Sequence, residues 1–393
     1  MPFRCQSCRA SVADVSATCD ECGGFVRYVE DDSTALRRAV DGDPAAALPD
    51  FASDLGMGEG STPLVEFDRT SQTLSGTVYG KLESLNPTCS FKDRGSSLTV
   101  SAVTDADTPW EGLIVASTGN TAPSVAAYAA RAGVPCVVLV PEGTSFSKLE
   151  QVAAHGVDIF TVDGSFSDCF QLADTVSDDR VLNATAVYSA NALVASANRT
   201  VAFELVAELG QAPDWVTVPV GAGPLLGGTH FGFAELRDAG IIDSVPRMLC
   251  VQARGCHPIV RAIEHGETVR PWTEPITTTV GAIADPLDGY AADGEQTRRA
   301  VVESDGDAVA LDDKMIYEAT NRLAATEGVY AEPASAASVA GVRAADRVDD
   351  SDTVVALVTG HGLKEKDEGE VAAEPVGTDT SVIRDAVLSG SAD

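Results

Sequence analysis

Between residues 113 and 358 the chain repeats one pattern, a short apolar run followed by a longer stretch of helical spacing. Residues 113–116, 134–140, 157–162, 215–220, 248–252 and 353–358 read as strands, the first of them buried. Residues 121–132, 147–154, 165–175, 199–209, 225–239, 312–326 and 333–345 read as helices, with Gly133 ending the first and Pro333 in the first turn of the last. The strand runs are rich in apolar residues. The helices between them supply the crossovers that parallel strands require. The chain is therefore expected to be α/β with open parallel sheets, and no internal repeat of solenoid period competes with that reading. At 393 residues it can form two or three compact units.

Ahead of these units lies Asn86-Pro87-Thr88-Cys89-Ser90-Phe91-Lys92-Asp93-Arg94-Gly95. Asn86-Pro87 is a turn signal, and Ser90 is expected to N-cap a helix running through Arg94 and Leu98. Lys92 then sits where a turn enters a helix, at the wall of a cleft. Most lysines are solvated surface charges, but the chain has only Lys81, Lys92, Lys148, Lys314, Lys364 and Lys366. A lysine so placed can form a Schiff base, the chemistry that pyridoxal phosphate (PLP) needs.

Three turns at strand ends carry further chemistry. Ser117-Thr118-Gly119-Asn120-Thr121 opens a helix and suits either an anion such as a carboxylate or ordinary capping. Gly221-Ala222-Gly223-Pro224-Leu225 also opens a helix, where glycines let backbone donors approach a phosphate or simply make a tight turn. Thr359-Gly360-His361-Gly362 ends the last strand; His361 and Lys364 are read as structural or solvated groups.

Cys5-x-x-Cys8 and Cys19-x-x-Cys22 form two close pairs ten residues apart, a spacing that can surround one tetrahedral Zn²⁺ as in a zinc ribbon. Disulfides or buried free thiols are the competing readings; Cys89, Cys136, Cys169, Cys250 and Cys256 lack such spacing and read as small core residues. The net charge of −32 argues against nucleic acid and anionic membranes as partners. Spread along the whole chain with few lysines, it reads as adaptation to high salt. No apolar run approaches the roughly 20 residues of a membrane span. No charged-then-apolar leader precedes the first elements, so a cytoplasmic location is expected.

The lysine stretch resembles the cofactor-lysine motif of threonine synthases, among the fold-type II (tryptophan-synthase β-like) PLP enzymes. The resemblance continues in order through Ser117–Thr121, Val218-Pro219-Val220-Gly221, Glu332-Pro333-Ala334-Ser335 and Thr359–Gly362, and covers roughly residues 55–365. It implies a fold-type II enzyme with two open-sheet α/β domains. The N-terminal zinc ribbon would span residues 1–28, with a linker at 29–54. A large PLP-binding domain would comprise 55–96 and 189–365, and a small mobile domain 97–188. An acidic tail at 366–393 is expected to hold at most a short helix at 381–388. It also implies roles. Lys92 would hold PLP and shuttle protons at Cα. Asn120, Gly221, Ala222, Gly223, Leu225 and Thr359 would bind the cofactor, with Asn120 at its 3′-oxygen and Thr359 at its ring nitrogen. Ser117, Thr118 and Thr121 would hold the carboxylate of a small-molecule amino-acid substrate. Cys5, Cys8, Cys19 and Cys22 would carry a structural zinc, and the assembly would be a homodimer.

Three departures from the family pattern bear on the reaction. Family members run Asn-Ser-x-Asn-Pro-x-Arg where this chain has Tyr188-Ser189-Ala190-Asn191-Ala192-Leu193-Val194, so Val194 replaces an arginine that helps bind the phosphate of O-phosphohomoserine. Ala222 and Pro224 stand at positions usually asparagine, and Cys89 at one usually glycine. The expected reaction is conversion of O-phosphohomoserine and water to threonine and phosphate. The alternatives are a paralogue working by β-elimination or β-replacement, such as a threonine/serine dehydratase, and a non-catalytic binding protein on the same scaffold.

Overall fold

The computed structural model describes residues 3–12, 15, 17–51, 55–105 and 108–364, together with 384 and 387. The expected tail helix at 381–388 lies largely outside the described residues.

Two sheets carry the body. The larger has six strands in the order Asp307–Leu311, Arg247–Ala253, Trp215–Pro219, Thr353–Leu357, Thr77–Lys81, Leu64–Glu66, parallel except for the last, which runs antiparallel at the edge. Successive residues of a strand face opposite sides. Val216, Val218, Cys250, Val355 and Leu357 accordingly join one buried cluster, and Trp215, Leu249, Val251, Val354 and Ala356 join another on the far side. Burial on both faces is the reason these strands are apolar without alternation. The smaller sheet is wholly parallel, in the order Asp158–Val162, Cys136–Pro141, Gly112–Ala116, Val181–Asn183.

Helix Thr121–Ala132 closes on Gly133 in the left-handed region (φ 67°), and Pro224 and Pro333 occupy first-turn positions where their missing N–H costs little. Helices Ala192–Asn198, Pro258–His265 and Ala291–Glu303 and strand Asp307–Leu311 are elements that the sequence reading did not pick out. Helix Lys92–Thr104 runs unbroken across residues 96–97, where the sequence reading divides large from small domain.

Three short strands, Phe3–Cys5, Ser11–Val12 and Val26–Tyr28, form a separate antiparallel sheet at the N-terminus. Among the described residues no helix is long and apolar enough to cross a membrane.

Candidate active site

Parallel strands release their following loops at one end of a sheet, and sites in open α/β sheets form outside those carboxyl ends. Strands Thr77–Lys81 and Thr353–Leu357 pair with Lys81 opposite Leu357, so the lysine loop and the residues after 357 leave together. They are then zipped. Phe91 N–H donates to the Thr359 carbonyl (3.0 Å) and His361 N–H to the Cys89 carbonyl (3.1 Å). That pairing brings Thr359 beside Lys92, 267 residues away in sequence.

Ser90 does not cap the helix. Its hydroxyl is buried without a partner among the described residues, and Phe91 holds the cap position of helix Lys92–Thr104. The turn is organised by Asp93, whose carboxylate accepts from Thr88 N–H (2.6 Å), Thr88 Oγ1 (2.6 Å) and Ser124 Oγ (2.6 Å). Cys89 has φ 66°, a conformation open to glycine and strained for other residues. That accounts for the family's glycine there. Lys364, read as solvated, instead bridges the Thr88 carbonyl and Gln151 Oε1, both at 2.8 Å, so it clamps the lysine loop to helix Phe146–Ala154.

Lys92, Ser117, Thr118, Asn120, Thr121, Gly221, Ala222, Gly223, Leu225 and Thr359 all line one cavity of about 510 Å³. Lys92 Nζ lies 4.5 Å over the Phe91 ring, with no carboxylate in salt-bridge contact among the described residues. Burial pulls its pKa down to about 8, against the raising effect of Asp285 and Glu332. Such an amine reaches its neutral, nucleophilic form near physiological pH.

The glycine turn presents backbone donors. Thr297 Oγ1 donates to the Ala222 carbonyl (2.7 Å) and Tyr188 OH to the Gly223 carbonyl (3.1 Å), and neither Thr297 nor Tyr188 lines the cavity. A trans peptide points its N–H opposite its C=O, so tying the Ala222 carbonyl outward turns the Gly223 N–H inward. Among the described residues no acceptor pairs with the N–H of Gly221, Ala222 or Gly223. Gly223 has φ 100°, and a Cβ there would sit 2.2 Å from Thr297 Oγ1. Free donors at the start of helix Pro224–Asp238 suit a phosphate. With Lys92 across the cavity, they fit PLP.

Sequence reasoning missed several residues that complete the cavity. Glu332 accepts both hydrogen bonds from Asn120 Nδ2 (3.1 and 3.0 Å), and Ser335 Oγ meets Thr359 Oγ1 (2.8 Å). Asp285 accepts from Tyr290 OH (2.7 Å) and Leu287 N–H (2.9 Å), and burial raises its pKa. Glu332 and Ser335 lie in a segment the sequence reading quoted without assigning roles; Asp285, before Pro286, reads only as a turn.

Val194 does not line the cavity. It lies in the buried helix Ala192–Asn198, where a Cβ on Gly95 would touch it at 3.4 Å. Arg199 does not replace the missing arginine, because it is fully buried and spent on Glu235 and the Ala47 carbonyl. Among the described residues, Lys92 is the one basic residue lining the cavity, alongside Glu274, Asp285, Asp288 and Glu332.

The sulfurs of Cys5, Cys8, Cys19 and Cys22 lie within 4.8 Å of one another, with Cys5–Cys22 at 3.4 Å and Cys8–Cys19 at 3.8 Å. Four thiolates at zinc bond length sit about 3.8 Å apart, and a disulfide needs about 2.05 Å. Cys136, Cys169, Cys250 and Cys256 are buried free thiols, as expected of core residues.

The family description "Pyridoxal-phosphate dependent enzyme" matches residues 55–360. Threonine synthase of Mycobacterium tuberculosis is 40% identical over 318 residues, covering 79% of this chain and 83% of that protein. Threonine synthase of Methanocaldococcus jannaschii is 34% identical over 393 residues, covering 94% and 95%. The chain belongs to the threonine synthase family of PLP-dependent enzymes. The family's fold recurs in maize serine racemase (TM-score 0.67, 19% identity, 91% of this chain and 97% of that one). It recurs again in the processed form of threonine deaminase isoform 2 from Solanum lycopersicum (TM-score 0.64, 18% identity, 92% and 90%). At these identities the likeness establishes the fold-type II architecture alone.

Proposed function

We propose that the chain is a threonine synthase, converting O-phosphohomoserine and water to threonine and phosphate. The observation that carries this is the convergence of Lys92, the unpaired donors of the glycine turn and Thr359 on one cavity, in a chain 40% identical to a named threonine synthase. Bound there, PLP supplies an electrophile for the substrate amine and an electron sink that acidifies the Cα proton. Lys92 would hold the cofactor's aldehyde carbon and would take and return protons at Cα, a task its lowered pKa suits. The N–H groups of Gly221, Ala222, Gly223 and Leu225 would receive the cofactor phosphate. Thr359, its hydroxyl held by Ser335, would offer a neutral partner to the ring nitrogen. Asn120 would bind the cofactor's 3′-oxygen, and Ser117, Thr118 and Thr121 would take the substrate carboxylate at the start of helix Thr121–Ala132.

A second reading draws on the cavity's charge. A phosphate dianion calls for cations or several donors, yet among the described residues Lys92 is the one base lining the cavity, and Val194 stands where the arginine is expected. This favours elimination from an unphosphorylated hydroxy-amino acid such as threonine or serine. The two readings separate in one assay on PLP-loaded protein in molar salt. Threonine and inorganic phosphate from O-phosphohomoserine support the first; a 2-oxo acid from threonine or serine, with the phosphate ester untouched, supports the second.

The remaining assignments belong to the same reading. Residues 1–28 form a zinc ribbon closed by four thiolates, joined through 29–54 to a PLP-binding body with 97–188 as its smaller unit. The protein works as a cytoplasmic homodimer adapted to high salt. Zinc analysis of wild type and Cys19→Ser tests the ribbon, and a full metal complement in the variant refutes it.

A further inference from the structure

The N-terminal sheet is built into the wall behind the glycine turn. Tyr28 N–H donates to Ser196 Oγ (3.1 Å) on helix Ala192–Asn198. Arg27 pairs with Glu235 and lies 4.6 Å over the Phe231 ring, both on helix Pro224–Asp238. The glycine turn leads directly into the first turn of that helix.

One contact goes further. Phe25 stacks on Tyr188 with ring centroids 5.8 Å apart and planes at 17°. Tyr188 is 2% exposed, its hydroxyl donates to the Gly223 carbonyl, and a Cβ on Gly227 would sit 1.9 Å from that oxygen. The Gly223 bond fixes a residue in the left-handed region and with it the direction in which the helix leaves. Phe25 is set by the cysteine cluster. Its carbonyl accepts from Gln6 N–H (2.8 Å), Cys19 N–H donates to the neighbouring Gly24 carbonyl (2.8 Å), and a Cβ on Gly24 would sit 2.9 Å from Cys5 Sγ.

We propose that the four-cysteine ribbon positions the phosphate-binding glycine turn, with Phe25 and Tyr188 as the positioning residues. This rests on the assignment of that turn to the cofactor phosphate and of the ribbon to zinc. Linkage makes the effect reciprocal: a metal-loaded ribbon tightens PLP binding, and bound PLP slows metal loss.

The test uses the full chain in molar salt, with PLP affinity read by absorbance titration and zinc release by a chelator. Tyr188→Phe removes only the hydroxyl and is expected to weaken PLP binding about fivefold, the worth of one hydrogen bond near 1 kcal/mol. Phe25→Leu is expected to weaken it similarly, and Phe25→Tyr, which keeps the ring, to restore it. Stripping zinc should weaken PLP binding in wild type by more than it does in Tyr188→Phe, and saturating PLP should slow zinc release. Wild-type PLP affinity in Tyr188→Phe, or in metal-stripped wild type, overturns the proposal. Gly223→Ala separates the levels: unchanged affinity there refutes the turn assignment itself, whereas weakened affinity there with Tyr188→Phe unaffected refutes only the coupling. If the purified protein holds no zinc, the metal assignment fails, and equal PLP affinity in Phe25→Leu and wild type then removes the ribbon's positioning role too.

Discussion

Helix Lys92–Thr104 carries two cations two residues apart, Lys92 half-buried at the cavity wall and Arg94 buried, and their surroundings are opposite. Lys92 faces the cavity with an aromatic ring as its near neighbour. Arg94 has all its hydrogen-bonding nitrogens engaged: Nε to Glu83 (2.8 Å), Nη2 to Glu83 (2.7 Å) and Glu204 (2.8 Å), and Nη1 to Glu204 (2.5 Å) and Thr200 (2.8 Å). Burial lowers the pKa of Lys92 to about 8. Burial acts the same way on Arg94, but Glu204 and Glu83 overcome it and hold the guanidinium well above its ordinary value. Desolvation with carboxylates held out of ion-pair contact, as Asp285 and Glu332 are from Lys92, leaves a reactive group; desolvation with two carboxylates in direct contact makes a structural one. Glu204 extends the second environment to Lys81, which it meets at 2.9 Å, so a fully buried lysine can also be structural.

Exchanging the roles should break the contrast. Lys92→Ala is expected to abolish the visible absorbance of bound PLP and to lower turnover on the order of 10³-fold, while leaving thermal stability near wild type. A full absorbance band in that variant would place the cofactor lysine elsewhere. Arg94→Ala should do the reverse. It strands two buried carboxylates and is expected to cost about 3–5 kcal/mol in denaturant unfolding at fixed salt, with the cofactor band retained while the protein is folded. Arg94→Lys should fall between, because an ammonium cannot reproduce the forked contacts.

A pH experiment sharpens the comparison. The folded pKa of Lys92 lies below its ordinary 10.5. Between about 8 and 10.5 the unfolded chain therefore binds the extra proton, and this lysine's contribution to stability rises with pH across that window. Below it, burying the charged amine counts against folding. Modification of PLP-free protein by cyanate, mapped by mass, should show Lys92 reacting with a midpoint near pH 8. A midpoint near 10.5 would mean that Lys92 is solvated. The smallest effect expected is at the turn before the helix, where Cys89→Gly relieves a left-handed residue and should stabilise by about 1 kcal/mol in the same unfolding assay.

Legibility followed range. Strand-helix alternation, Gly133 and the two first-turn prolines are local signals, and these elements fall close to their expected places. The ten expected cavity residues were legible because each sits in a short motif at a strand end or helix start. Ser90 was misread because capping motifs do not reveal a competitor, and the Asp93 carboxylate takes over the turn from inside the helix. Lys364 was misread because its partners, the Thr88 carbonyl and Gln151, lie more than 200 residues away.

The sequence by itself determined the strand and helix alphabet, the lysine turn, the glycine turn and the paired cysteines, since each depends on spacing within a few residues. Only the tertiary structure decided which polar groups are left unpaired. Thr297 and Tyr188 turn the carbonyls of Ala222 and Gly223 away from the cavity, and Glu83 and Glu204 neutralise Arg94, while among the described residues no carboxylate is in ion-pair contact with Lys92. Desolvation and pairing are properties of the space around a group, and that space is assembled from segments far apart in the chain.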